Sequence, residues 1–150
     1  MLKGIDPRLD ADMLHALRAM GHGDTLVLVD ANFPALSMAR DTVLGAPLRI
    51  DAPRLADAAE AVLSLMPLDT FVDNFAARMQ VVGAPDALPD PIAETQRVMA
   101  DAGEARVIPQ VDRFAFYDLA RAAFAIVQTG ERRLYGNVML RKGVIPPEED

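Results

Sequence analysis

Cysteine is absent from these 150 residues, which excludes disulfides, thiolate metal sites and a thiol nucleophile. Tryptophan is also absent and aromatic residues reach only 5%. The core must therefore rest on close helix–sheet contact, with eight methionines as adaptable filling. The two histidines lack the His/carboxylate spacing of a dedicated zinc site. No stretch approaches the ~18 consecutive apolar residues of a membrane span. The segment Met1-Leu2-Lys3-Gly4-Ile5-Asp6-Pro7 lacks the apolar run of a secretory signal. There is no Gly-x-Gly-x-x-Gly or Walker loop, so a nucleotide-dependent reaction is unsupported. A basic face is missing too. The net charge of −7 argues against a phosphate-backbone partner. The one basic concentration, Arg132-Arg133 with Arg141-Lys142, reads as a solvated rim. These absences predict a cytoplasmic chain without metal, nucleic-acid or membrane partners.

What is present is an apolar α/β pattern, 51% hydrophobic and long enough to bury a real core in one domain over 1–150. Met13, Leu14, Leu17 and Met20 form a helical stripe, with Asp10 as N-cap and Gly21 as stop. Thr25 to Val29 reads as a buried strand ending at Asp30. Residues 31–47 read as a long loop with one short turn, and such loops often carry function. A short strand is expected over Leu48 to Ile50. Asp51 is the expected cap of the next helix, with Pro53 in its first turn. Arg78 to Val82 alternates like a strand with one wet face. A helix follows from Asp90-Pro91 to about Asp101, then a strand at Arg106 to Ile108. Asp112 caps a helix through Ala123, and Phe124 to Val127 and Asn137 to Leu140 complete six strands. The residues 146–150 read as a frayed tail. Strands alternating with helices predict a layered α/β fold around a mostly parallel sheet.

Short polar islands punctuate this pattern at Gly21-His22-Gly23-Asp24, at Asp30 with Phe33-Pro34, at Arg113 to Tyr117, and at Tyr135-Gly136-Asn137. Three of them adjoin strand ends, where open α/β sheets place ligands. His22 reads either as a helix-terminal histidine meeting the dipole or as a general acid/base on a turn that glycines open to a ligand. Asp24 reads as a turn residue supporting that loop, and His15 as structural or surface. Asp30 either starts an Asx-turn or offers a carboxylate to sugar hydroxyls. Arg113 opposes the dipole in a first helical turn, a local conflict of the kind sites tolerate; its plainer role is an ion pair with Asp112 or Asp118. Tyr117 lies one turn on and faces the same way, whereas Phe114 and Phe116 read as core. Tyr135-Gly136-Asn137 is either a tight turn or a phenol and carboxamide that bond vicinal hydroxyls.

In type and order these islands resemble the L-fucose mutarotase/ribose pyranase family, from Leu2-Lys3-Gly4 to Lys142-Gly143-Val144. Thr129-Gly130-Glu131-Arg132 also matches, and Arg113-Phe114-Ala115-Phe116-Tyr117 is similar to the fucose branch. Asn32 stands where that branch often has His, and 43–104 matches mainly in pattern. The resemblance implies a three-layer α/β/α fold with a mixed six-strand sheet. It implies His22 as proton donor, with Asp30, Arg113 and Tyr135-Gly136-Asn137 binding a monosaccharide. It implies no metal or organic cofactor, and ring-like homo-oligomers (octamer or decamer) with sites near subunit contacts.

The implied activity is exchange of α and β anomers of L-fucose or a related sugar through the open-chain aldehyde. Opening the ring needs a proton on the ring oxygen and one removed from the anomeric hydroxyl. His22 suits the first transfer, because imidazole gives and takes protons near neutrality, and Asp30 or a water suits the second. Arg113, Tyr117 and Asn137 would hold the remaining hydroxyls. Two alternatives stand beside it: a non-catalytic sugar-binding accessory protein, and a ribose pyranase exchanging pyranose and furanose rings.

Overall fold

A computed structural model describes residues 1–148. Its elements run α1 (Ala11–Ala19), β1 (Thr25–Val29), α2 (Ala35–Met38), a 3-10 turn (Ala39–Asp41), β2 (Leu48–Arg49), α3 (Leu55–Leu63), β3 (Ala76–Met79), α4 (Asp90–Asp101), β4 (Gln110–Val111), α5 (Arg113–Arg121), β5 (Ala125–Gln128) and β6 (Val138–Arg141). The six strands form one sheet in the order β2-β5-β1-β6-β3-β4. β2, β5 and β1 pair in parallel, as do β3 and β4, while β6 runs antiparallel between β1 and β3.

Alternation along each strand sends side chains to opposite faces, and this divides the core in two. Leu26 and Leu28 join Met13, Leu17, Leu55, Val62 and Ile92 on the face covered by α1, α3 and α4. Val27 and Val29 join Met38, Phe116, Ala120 and Met139 on the face covered by α2 and α5. The result is the α/β/α sandwich, with alanines allowing the close approach that scarce aromatics require.

The direction of β6 follows from its entry point. β5 ends beside the end of β1, with Val29 paired to Gln128. The segment 129–137 then returns along the same sheet edge, so β6 starts there and runs back. Leu28 pairs with Val138 and Thr25 with Arg141. Both ends of β1 are thereby in register with both ends of β6.

Asp10 caps α1 by accepting the Met13 N–H, and Asp112 caps α5 by accepting from Phe114 and Ala115, as the sequence predicts. Several expectations need correcting. Asp51 does not cap α3. Arg54 occupies the N-cap with no side-chain bond, and the orphan Leu55 N–H is taken by Glu131 Oε2 at 3.1 Å. β3 lies earlier than Arg78–Val82 and is buried on both faces, since the Arg78 guanidinium turns inward to the Ala87 carbonyl and Gln110. The expected strand at 106–108 gives way to Gln110–Val111. Arg106 is occupied there by Glu104 and the carbonyls of Val72 and Asp69. Phe114 is 73% exposed rather than core, whereas Phe116 is fully buried.

The expected basic rim is also largely structural. Arg133 forks onto Glu94 and Glu131, and Lys142 Nζ closes α1 on the carbonyls of Leu17 and Met20. Residues 146–148 are exposed without regular structure; the remainder of the expected frayed tail, 149 and 150, lies outside the described residues.

Candidate functional site

The carboxyl end of β1 opens into a pocket of about 200 Å³ lined by Asp30, Phe33, Met79, Arg113, Tyr117, Leu134, Tyr135 and Asn137 among others. That is below the ~300–1,000 Å³ of drug-sized sites and suits an occupant the size of a monosaccharide. Each polar member reaches it by a definite local route. Asp30 ends β1 and forms an Asx-turn, its Oδ1 accepting the Asn32 N–H at 2.9 Å. Asn137 enters β6 directly opposite. Its carbonyl oxygen accepts the Asp30 N–H and its amide donates to Asp30 Oδ2, both at 3.0 Å.

Both side chains are buried, so the pair presents one fixed carboxylate to the cavity. Burial pushes the Asp30 carboxyl up, against the lowering effect of the Asn32 N–H and the Asn137 amide, and nearby Glu131 raises it further. A carboxylate with raised proton affinity is a better acceptor from a hydroxyl.

Arg113 and Tyr117 stand on the first turns of α5. Arg113 Nε donates to the Tyr117 hydroxyl at 3.0 Å, and the guanidinium lies 5.4 Å from the ring centre. No ion pair forms between Arg113 and either Asp112 or Asp118. Tyr117 also meets the edge of Phe33 with centroids 5.8 Å apart. Tyr135 sits at φ 61°, a left-handed conformation that costs a non-glycine residue on the order of 1 kcal/mol. Its hydroxyl accepts the Val82 N–H at 3.2 Å, which fixes the ring and leaves the phenolic proton free. Gly136 is required by contact. A Cβ there would stand 2.7 Å from Glu131 Cγ and 3.5 Å from Asp30 Cβ. Phe33, Pro34, Met79 and Leu134 supply an apolar wall.

His22 is not in this pocket. It sits before β1, at the opposite end of that strand, and five strand residues at ~3.3 Å each put roughly 17 Å between that end and Asp30. His22 Nε2 lies 3.0 Å from Asp69 Oδ2; the imidazole side chain is 47% exposed and the carboxylate 2%. The Phe71 N–H, bonded to Asp69 Oδ1, holds that carboxyl below its ordinary range, with His22 adding to the effect against the cost of burial. An ionised Asp69 favours the tautomer that carries its proton on Nε2. Phe71 meets the imidazole edge-on at 5.9 Å. Asp24 supports the turn as expected, its Oδ2 accepting the Gly21 N–H at 2.7 Å, and His15 is exposed.

The chain thus brings together Asp30, Arg113, Tyr117, Tyr135 and Asn137, with Gly136 behind them, and holds His22 apart. Sequence reasoning missed Asp69 and Met79. Neither has a local signal: one lies in an irregular segment after Pro67, the other in a short buried strand. Among the described residues no cluster of three or more His, Asp or Glu could hold a metal ion, and no helix is long and apolar enough to cross a membrane.

Comparison with known proteins gives this geometry a context. The chain is 43% identical to the fucose mutarotase of Homo sapiens over 147 residues, covering 96% of this chain and 94% of that protein. It is similar to the fucose mutarotase of Streptococcus pneumoniae, whose structure is in complex with L-fucose. Identity there is 36%, the TM-score 0.85, and coverage 97% of this chain and 100% of that one. A further crystal structure, 51% identical, superposes with a TM-score of 0.94 over 97% of each chain. The model of the RbsD / FucU transport protein family matches residues 3–145. The chain belongs to the RbsD/FucU family.

Proposed function

We infer that this protein is a fucose mutarotase, an isomerase that interconverts the α and β anomers of L-fucose by acid/base ring opening. The observation that carries the reading is the Asp30–Asn137 pair. It sets a buried, hydrogen-bonded carboxylate of raised proton affinity in a sugar-sized pocket, on a chain that matches fucose mutarotases along nearly its whole length. The cysteine-free composition suits a cytoplasmic enzyme.

Asp30 takes the proton of the anomeric hydroxyl as the ring C–O bond breaks, and an imidazolium delivers a proton to the ring oxygen. The aldehyde rotates and closes on its other face, with both transfers reversed. Arg113, Tyr117, Tyr135 and Asn137 hold the remaining hydroxyls. The apolar wall of Phe33, Met79 and Leu134 faces the C6 methyl. No covalent intermediate is needed, and an acid–base contribution of ~10²–10⁴ suffices for a reaction already spontaneous in water.

A single chain does not supply both groups to one sugar, because His22 and Asp30 lie at opposite ends of β1. The complete site takes its imidazole from the His22–Asp69 end of a second copy. Both ends carry exposed apolar side chains suited to such a contact: Phe71 beside His22, and Leu36, Phe114 and Leu134 around the pocket. Contact of two different faces is head-to-tail, the kind of interface that generates a ring where its rotation closes.

Two-dimensional exchange NMR on the anomeric protons of L-fucose, with D-ribose in parallel, tests the activity. Faster α/β exchange of fucose is the expected result. Line broadening without exchange would identify a sugar-binding accessory protein. Accelerated pyranose–furanose exchange of ribose alone would identify a pyranase.

A further inference from the structure

We propose that Glu131 is a positioning residue for Asp30: a buried ionised carboxylate that props the Gly136 wall of the pocket and strengthens Asp30 as a proton acceptor. Glu131 is 2% exposed and lies behind the residues that line the pocket. Its carboxylate accepts the Leu55 N–H at the start of α3, its neighbour Arg133's N–H, and two guanidinium bonds from Arg133. Arg133 in turn forks onto Glu94 on α4 with two bonds of 2.8 Å. Two carboxylates and one guanidinium leave this cluster with one net negative charge.

The cluster is fastened to the site by short links. The Glu131 carbonyl accepts the Ala31 N–H at 2.8 Å, immediately after Asp30. The Thr129 hydroxyl donates to the Val29 carbonyl, immediately before Asp30, and accepts the Glu131 N–H. Gly136 lies between Glu131 Cγ and Asp30 Cβ: a methyl group there would meet Asp30 at ordinary contact distance but collide with Glu131. Asp30 is therefore bracketed on both sides by the Thr129–Glu131 turn and backed by the Glu131 stem.

The titratable groups around Asp30 are Glu131 and Tyr135 from the segment 129–137, and Arg113 and Tyr117 from α5. Arg113 leans to Tyr117, leaving Glu131 as the fixed charge behind the carboxylate. Burial opposes ionisation of Glu131, yet its hydrogen bonds from Arg133 and Leu55 hold it at about 2. It is thus ionised throughout the range in which Asp30 titrates. A like charge at short range raises proton affinity.

The inference rests on the mutarotase reading, in which Asp30 is the base. The experiment is the pH profile of α/β exchange of L-fucose, corrected for uncatalysed exchange, in wild type, Glu131→Gln and Glu131→Asp. Asp30 must be ionised to act, so its titration forms the acid limb. Removing the charge in Glu131→Gln is expected to move that limb to lower pH. Glu131→Asp keeps the charge, and its acid limb is expected to stay near that of wild type even where thermal stability falls.

A purely structural role would lower stability in both variants with both limbs unmoved, and that result overturns the proposal. If circular dichroism shows Glu131→Gln unfolded, Glu94→Gln serves in its place. It frees Arg133 to neutralise Glu131 alone and is expected to shift the limb in the same direction by less; no shift there overturns the proposal as well. Wild-type protein that fails to accelerate exchange defeats the mutarotase reading itself, a separate outcome.

Discussion

The two ends of β1 have opposite characters. At the carboxyl end, the Asp30 carboxylate is buried, hydrogen-bonded twice and walled by side chains from four separate segments. At the amino end, His22 stands half exposed on a glycine-flanked turn, oriented by a single buried carboxylate and one aromatic edge. The first is a receptacle and the second a projection. On the function proposed above, these two ends are half-sites facing away from one another, and catalysis would belong to a contact between copies.

The strongest way to break this comparison is to remove one half from each of two chains. His22→Ala and Asp30→Ala are each expected to lose exchange by ~10²–10⁴. Co-expressed, the two variants are expected to recover about a quarter of wild-type exchange, because random neighbours in a ring pair an intact His22 with an intact Asp30 at that frequency. No recovery in mixed rings would mean that both groups serve the same chain.

Acid separates the ends next. Glu131, behind the Asp30 end, drops from 4.5 to about 2 on folding. Its stabilisation is complete above the unfolded value and is lost as pH falls through the folded one. Melting by circular dichroism between pH 5 and pH 2 is expected to show a Glu131 share of about 3 kcal/mol, read as the difference in acid loss between wild type and Glu131→Gln, with Asp6 and the other lowered carboxyls contributing equally to both. Gly136→Ala forces a methyl against Glu131 Cγ. It is expected to cost ~1–3 kcal/mol in chemical denaturation and to slow exchange, while leaving the His22–Asp69 pair intact by NMR. The smallest effect belongs to Arg113→Ala. It is expected to raise half-saturation for L-fucose about tenfold, near 1.4 kcal/mol, with the limiting rate little changed. Unaltered saturation would remove Arg113 from the sugar contacts.

What was legible in the sequence was what depends on neighbours along the chain. The caps Asp10 and Asp112 act within three residues, and the apolar run Thr25–Val29 marks its own strand, so α1, α5 and β1 were readable from local pattern. The illegible parts were bonds across long separations. The cap of α3 comes from 76 positions away; no local rule distinguishes Asp51, which is unused, from Glu131, which does the capping. The Asp30–Asn137 bond spans 107 positions, and each residue alone reads equally well as a turn former. His22 and Asp30 were readable individually as candidate site residues, but the strand that separates them was not visible as a distance until β1 and β6 were placed in register. Phe114 was misplaced because helical periodicity marks which residues share a face, not whether that face is covered.

The antiparallel strand β6 has a consequence for how such chains can diverge. It begins beside Asp30 with Asn137 and ends beside His22 with Lys142, whose N–H bonds the Asp24 carbonyl at 2.8 Å. Side chains alternate with a period of two along a strand, so insertion or deletion of one residue within 138–141 would turn the downstream residues to the wrong face. The bonds of Lys142 to Gly23 and Asp24 beside His22 would be lost in a single event. The loop carrying Val81–Ala84 and Gly83 can lengthen or shorten with far less disturbance. Length variation across descendants of this sequence should accumulate in the 81–88 loop and spare the four residues of β6.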